Sequence, residues 1–221
     1  MTGKPRVAVI SGFGINCELE TMAVFEMAGA SADRIHVNRL VSGEVSLEDY
    51  QIMAVPGGFS FGDHLGSGRL MGNRLRFGLR EQVREFVRAG KPVIGICNGF
   101  QVLIKMGLLP GDDEVSLTQT ASLALTDSGH YEDRWVTLEF DTNSPCHWTQ
   151  GMDRIRVPVR HGEGKSVTDD PTLLDQWAAS GPFAVRYVDS ESPLPSASDD
   201  TLPYPNYTLQ HCRHISVALH P

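Results

Sequence analysis

One cysteine stands where the chain is expected to turn sharply from a strand into a helix. In "KPVIGICNGFQVL", residues 91–103, an apolar run ends at Cys97, with Gly95 and Gly99 two residues away on either side. A nucleophile elbow has this design, because small flanking residues relieve the crowded turn and the nucleophile projects from the sheet. The following helix would point free N–H groups at the thiol, favouring the thiolate. The backbone N–H of Asn98 is then a candidate to bind an oxyanion.

A structural role is the alternative for Cys97, since free cysteines are among the most buried residues. An elbow needs an apolar strand, the G-x-C-x-G spacing and a helix that starts at once, whereas the packing of a buried cysteine needs none of them. We therefore favour a nucleophilic role for Cys97. A second glycine loop, "VPGGFSFGD" at residues 55–63, also follows an apolar strand. Loops at neighbouring strand ends of an α/β sheet would face one pocket.

A cysteine nucleophile needs a base, which is usually a histidine. Two of the eight histidines follow apolar runs of strand type. His220 comes after "ISVAL", and His161 lies in "RHGEG" after "IRVPV". The residues alone leave both as candidates.

The composition limits the class of protein, the partners and the cellular compartment that we expect. The 221 residues are 41% hydrophobic and 21% charged, as in an ordinary globular protein, and we expect a single domain over residues 1–221. The net charge of −8 argues against nucleic acid or an anionic membrane as the main partner. Neither a targeting signal nor a membrane span is expected, and the four scattered cysteines predict no metal site and a cytoplasmic chain with reduced thiols.

Strand and helix patterns alternate through the first half of the chain. They predict an α/β fold with a doubly wound, mostly parallel sheet that binds ligands at the carboxyl ends of its strands. "RIHVNRL" (residues 34–40) is expected to be a strand, and residues 73–90 a single amphipathic helix that begins at "NRLRFGLR". The second half is rich in strand patterns and predicts an antiparallel extension or the far edge of the same sheet. Residues 189–206, polar and rich in proline, are expected to be a loop.

The segments "GICNGFQVL" and "PGGFSFGDHLGSG" together resemble the class I (triad) glutamine amidotransferases. Within that family the resemblance is strongest to the glutaminase subunits of phosphoribosylformylglycinamidine synthases. Further matching segments run from residue 6 to about residue 206, namely "GFGINCE", "RWVTLEF", "SPCHWTQG", "RVPVRHGEG", "FAVRYVD" and "YPN".

The resemblance implies a reaction and a role for each matching residue. Cys97 would attack the side-chain amide of glutamine, ammonia would leave, and water would hydrolyse the resulting thioester. Gly58 and Asn98 would supply the N–H groups of the oxyanion hole.

The resemblance also assigns the substrate contacts and the base. Gln101 would help to hold the glutamine, and His161 and Gly162 would border its site. Of the two candidates for the base, the resemblance therefore favours His220 over His161.

The resemblance further implies partners. Ammonia would pass to a large synthetase subunit, which uses ATP and Mg²⁺ to convert formylglycinamide ribonucleotide to its amidine, and a small third subunit would complete the complex. This chain itself would carry no cofactor, in keeping with the lack of a P-loop.

The match departs from the family at the last motif, where the family has His-Pro-Glu and further chain. Here "VALHP" stops at Pro221, so we expect a tail that is truncated or altered after Asn206. Without the glutamate that orients the histidine, weakened or absent glutaminase activity is expected. Two other functions stay open: a subunit that only binds glutamine or completes a complex, and another α/β cysteine hydrolase. Asn98 and the loop at residues 55–63 argue against the hydrolase.

Overall fold

A parallel sheet forms the centre of the protein, in a computed structural model that describes residues 3–112, 114–126, 128–142, 144, 146–170, 172–173, 185–188 and 215–216. The strands are β1 (Arg6–Ser11), β2 (Ser31–His36), β3 (Ile52–Val55), β4 (Val93–Gly95), β5 (Ser122–Leu125), β6 (Glu132–Phe140), β7 (Arg154–His161), β8 (Glu163–Val167), β9 (Val185–Val188) and β10 (Ile215–Ser216). Five of them form the central sheet, in the order β10-β4-β3-β1-β2.

Helices cover both faces of this sheet. They are α1 (Glu18–Met27), α2 (Val37–Val41), α3 (Arg69–Gly78), α4 (Arg80–Arg88) and α5 (Asn98–Lys105). Successive residues of β1 enter different cores: Ala8 and Ile10 pack with α3, α4 and α5, whereas Val7 and Val9 pack with Phe25 of α1. Alternation of this kind is what a strand buried on both faces requires, and it confirms the predicted α/β sheet.

Strands β5 to β9 of the second half form separate antiparallel sheets, one of β5 and β8 and one of β7, β6 and β9. These strands are therefore the antiparallel extension, whereas β10 pairs with β4 at the edge of the central sheet. The three-stranded sheet has a small core of its own, which includes Leu138, Phe140 and Val159. Trp148 packs against that core and also against the core on the α1 side of the central sheet, so it connects the two cores. Among the described residues, no helix is long and apolar enough to span a membrane.

Two predicted elements are wrong in extent. The strand predicted over residues 34–40 ends at His36, because the His36 ring accepts a hydrogen bond from the N–H of Asn38 and so caps α2. The helix predicted over residues 73–90 breaks at Leu79, whose φ is −129°, although the predicted apolar face is buried throughout. The loop predicted at residues 189–206 lies outside the described residues.

The start of α5 lies unusually close to the strand ends. A Cβ built on Gly99 would collide with the carbonyl oxygen of Val55, and one on Gly95 would lie 2.7 Å from the carbonyl oxygen of Gly99. Glycine is therefore required at both positions, as the spacing in the sequence predicts. This close crossing sets the position of the residue between the two glycines, Cys97.

Replacement of Gly99 by alanine should destabilise the fold, because the added methyl meets rigid backbone rather than a movable side chain. We expect the free energy of unfolding to fall by about 3 kcal/mol or more in urea titrations. Gly3→Ala is the matched control: a Cβ there meets nothing within 4 Å, and its stability should stay within about 0.5 kcal/mol of the parent. Equal stability of the two variants would contradict the close crossing.

Candidate active site

Cys97 has a backbone conformation that side chains rarely adopt. Its φ is 53° and its ψ −116°, between the last residue of β4 and the first of α5. Such a conformation costs of order 1–3 kcal/mol and persists only where the surroundings impose it. The predicted nucleophile elbow is thus present in the structure, at the carboxyl end of a central parallel strand.

Two backbone N–H groups lie near the Cys97 thiol. Those of Asn98 and Gly58 each lower its pKa, and a Cβ built on Gly57, the neighbour of Gly58, would lie 3.2 Å from the Cys97 Cβ. Burial has the larger effect and raises the pKa of Cys97 above its ordinary value. The N–H group at the start of α5 therefore favours the thiolate as expected, but desolvation outweighs the two N–H groups together. A base must take the proton.

The glycine loop after β3 is attached to the loop after β1. The N–H groups of Asn16 and Cys17 both donate to the carbonyl oxygen of Gly57, at 3.2 and 3.3 Å, and the N–H of Phe59 donates to that of Gly14 at 2.9 Å. A Cβ on Gly58 would lie 2.5 Å from the Gly14 oxygen, so only glycine fits. These contacts hold the Gly58 N–H in position beside Cys97.

The Asn98 side chain connects the elbow to the same loop from the other side. Its Oδ1 accepts from the N–H of Ser60, while its Nδ2 donates to Asp63 Oδ1 and to Gln101 Oε1, each at 2.9 Å. Asn98 is 1% exposed, so its bonds to Ser60 and Gln101 are shielded from water, while the bond to Asp63 is partly buried. Asn98 thus contributes twice, with its backbone N–H at the thiol and with its side chain between the elbow and the loop.

Gln101 extends this network into the antiparallel half of the chain. Its Nε2 donates to the carbonyl oxygen of Glu163 at 2.9 Å, and Glu163 Oε2 accepts from the N–H of Ser67 at 3.1 Å. Gln101 is 5% exposed, and its side-chain amide is occupied by protein contacts. Hydrogen bonds therefore connect the start of β8 to the elbow at Cys97.

The remaining predicted residues have different positions. His161 is 3% exposed at the end of β7, and burial lowers its pKa, which makes it a poor proton acceptor. Gly162 follows it and lies beside Tyr131, since a Cβ on Gly162 would be 3.9 Å from the tyrosine ring. His220 lies outside the described residues. Strand β10 runs parallel to β4, so its carboxyl end is at the same edge of the sheet as Cys97.

Three residues of the site had no role in the sequence analysis. Gly14 and Asp63 lie within the quoted segments "GFGINCE" and "PGGFSFGD", but neither has a side chain with obvious chemistry for glutamine. Tyr131 is 52% exposed and lies beside Gly162, and burial of its hydroxyl raises its pKa. Within the described ranges, no cluster of three or more His, Cys, Asp or Glu side chains is arranged to hold a metal ion.

A strained cysteine at a strand end, with N–H groups near its sulfur, is the arrangement of the nucleophile elbow in α/β enzymes. Residues 4–202 match the family model of the CobB/CobQ-like glutamine amidotransferase domain. The chain belongs to this family, which confirms the resemblance found in its motifs.

Comparison with individual proteins shows which members of the family this chain is similar to. The PurQ subunit of phosphoribosylformylglycinamidine synthase from Methanococcus maripaludis is 41% identical, with 85% of this chain and 68% of that protein covered. The same subunit from Dehalococcoides mccartyi is 39% identical, with coverages of 90% and 77%. Among solved structures, PurLQS from Thermotoga maritima is similar with a TM-score of 0.64 and 29% identity, over 85% of this chain and 76% of that one.

The raised pKa of the Cys97 thiol predicts a pH dependence of its chemical modification. Since its pKa is raised, the thiolate fraction at pH 7 is smaller than in a free cysteine, and the rate of alkylation of Cys97 by iodoacetamide should rise about tenfold per pH unit up to pH 8.5. Peptide mass spectrometry resolves Cys97 from Cys17 and Cys146. A rate that levels off below pH 7 would show a depressed pKa instead.

Replacement of Asn98 by alanine should loosen the glycine loop, because the buried Ser60 N–H and Gln101 amide lose their partners. We expect a loss of about 2–3 kcal/mol in the free energy of unfolding and faster hydrogen exchange at Ser60. Asn38→Ala, which removes an exposed acceptor of Arg74, is the control and should change stability by less than about 0.5 kcal/mol.

Proposed function

We propose that this chain is the glutaminase subunit of a phosphoribosylformylglycinamidine synthase, a function that belongs to purine biosynthesis. The observation that carries the proposal is the strained backbone of Cys97 at the carboxyl end of β4, with the glycine loop at Gly57 against it and the N–H groups of Gly58 and Asn98 near its sulfur. Donors at this place are suited to a tetrahedral oxyanion formed when the sulfur attacks a carbonyl carbon. The relatives named PurQ support glutamine as the substrate.

The reaction has two halves. The base takes the Cys97 proton, the sulfur attacks the side-chain amide carbon of glutamine, and the developing oxyanion is held by the N–H groups of Gly58 and Asn98. The C–N bond breaks, the nitrogen receives the proton and leaves as ammonia, and a thioester remains. Water then attacks the thioester and releases glutamate and the thiol. We assign the base to His220.

The glutamine site would lie between the elbow and the start of β8. We propose that Gln101 acts by shaping this site through its contacts with Asn98 and Glu163, and that His161 and Gly162 form its border. Tyr131 would cover the same side, since it lies beside Gly162.

The ammonia would be used by a synthetase subunit, in a complex that includes a small third subunit. The name of the Thermotoga maritima PurLQS structure supports such an assembly. We place the chain in the cytoplasm, where the thiols of Cys17, Cys97 and Cys146 would stay reduced.

A glutamine-like electrophile, such as a diazoketone analogue of glutamine, should label Cys97 selectively. Cys97→Ala should abolish the labelling and reduce glutamine-dependent amidine synthesis in the complex at least about 100-fold, while synthesis from added ammonia is retained. Cys17→Ser is the matched control and should keep both activities.

Peptide mass spectrometry and product assays provide the measurements. Labelling at Cys17 or Cys146 in place of Cys97 would contradict the assignment, and so would faster turnover of a peptide or an ester than of glutamine. A chain that binds the synthetase but hydrolyses no glutamine in the complex would be a binding subunit only.

A further inference from the structure

One lysine is buried at the far end of the helix that begins behind Cys97. Lys105 is the last residue of α5 and is 8% exposed, and among the described residues it is the only lysine or arginine that is buried. A lysine is rarely buried without a partner, because removal of its charge from water is costly. An apolar side chain would fill the same space at a lower cost, so the ammonium group needs an explanation.

The ammonium group of Lys105 holds a strand of the antiparallel half. Its Nζ donates to the hydroxyl of Ser122 at 2.6 Å and to the carbonyl oxygen of Leu123 at 3.5 Å, both in β5. The start of the side chain lies against α3, since a Cβ built on Gly72 would be 3.1 Å from the Lys105 Cβ. Lys105 therefore connects the end of α5 to β5 at a place where two helices already pack closely.

The same face of α5 carries the polar residues of the active site. Asn98, Gln101 and Lys105 occupy positions i, i+3 and i+7, which lie on one side of an α-helix, and all three are buried. Asn98 holds the glycine loop, and Gln101 donates to the carbonyl oxygen of Glu163 at the start of β8. Lys105 thus continues a row of buried polar residues that begins at the elbow.

Strand β5 connects the lysine to Glu163. In the antiparallel pair of β5 and β8, Leu125 lies opposite Glu163. The two-stranded sheet is therefore attached to α5 at two points about one helical turn apart, through β8 at Gln101 and through β5 at Lys105. Burial lowers the pKa of Lys105, and the Glu163 carboxylate partly offsets this effect by favouring the charged form.

We propose that Lys105 is a positioning residue for glutamine: by holding β5, and through it β8, it fixes the Glu163 carbonyl group that Gln101 contacts beside Cys97. Lys105 acts through these residues rather than on the thiol. Loss of its bond to Ser122 would let the start of β8 move relative to the elbow, which weakens glutamine binding and leaves the reactivity of Cys97 unchanged. This inference rests on the proposed function.

The test removes the bond from each of its two ends, in the full chain with its cognate synthetase complex. Lys105→Met keeps an unbranched side chain without the ammonium group, and Ser122→Ala removes the acceptor. Each should raise the KM for glutamine about tenfold and keep kcat within about twofold of the parent, the pattern of weakened binding. The double variant should be no worse than Lys105→Met alone, because both changes break the same bond.

Modification of Cys97 separates positioning from a general loss of structure. Labelling by the diazoketone analogue at limiting concentration should slow about tenfold, because the analogue must occupy the glutamine site. Alkylation by iodoacetamide needs no such site and should stay within about twofold of the parent. Hydrogen exchange at the N–H of Ser67, which donates to the Glu163 carboxylate, should become faster, and this measurement requires no activity.

Lys91→Met is the matched control. The Lys91 Nζ also donates to a backbone carbonyl, that of Glu48 at 2.8 Å, but this lysine precedes β4 at the end of the strand opposite Cys97. The change should leave the KM, the labelling and the exchange at Ser67 as in the parent. Thermal unfolding checks that the variants are folded, and Ser122→Ala carries the test if Lys105→Met does not fold.

Three results would overturn the positioning role. The first is a parental KM in Ser122→Ala, whether or not Lys105→Met folds. The second is an equal loss in iodoacetamide alkylation and in analogue labelling, which would mean that the lysine only stabilises the fold. The third is a double variant in which the two single effects multiply, which would mean that the residues act separately.

Failure of the proposed function would look different. A parent chain that hydrolyses no glutamine in the complex would refute that function, while exchange at Ser67 would still report whether Lys105 holds β8. Parental exchange at Ser67 in both Lys105→Met and Ser122→Ala would then overturn the positioning role as well.

Discussion

The close approach of α5 to the strand β3 is the constraint on which the site depends. Because Gly99 lies against the carbonyl oxygen of Val55, the chain must turn within the two residues after β4, and Cys97 is forced into a left-handed conformation. The strain is borne by a sheet that is buried on both faces and has little freedom to relax. The rigid core thus fixes the position of the Cys97 sulfur atom.

Polar contacts extend that rigidity to the rest of the site. Asn98 links the elbow to Ser60 and Asp63, while Gln101 links it to Glu163 at the start of β8. The antiparallel half of the chain therefore supports the reacting group as well as its surroundings. The same enclosure desolvates the thiol and so raises the pKa of Cys97.

The sequence predicted the elements well where local pattern and tertiary packing agree. The apolar face of residues 73–90 is buried as expected, but the helix breaks at Leu79, and the strand after Arg34 ends at His36. Helical spacing in a sequence predicts which side chains face the core. It does not predict a break between two helices whose apolar residues face the same core. The end of β2 coincides with a capping hydrogen bond in which the His36 ring accepts from the N–H of Asn38, and histidine is an uncommon cap.

The sequence by itself determined the chemistry: a cysteine between spaced glycines after an apolar strand, a second glycine loop, and the motifs that define the amidotransferase family. Those features are local, since a tight turn needs small residues whatever surrounds it. Only the tertiary structure decided how the groups act together. It placed Gly14 under Gly58, committed Gln101 to Glu163, buried His161, and made desolvation outweigh the helix terminus at Cys97, because these outcomes depend on segments that are distant in the chain and meet only in the fold.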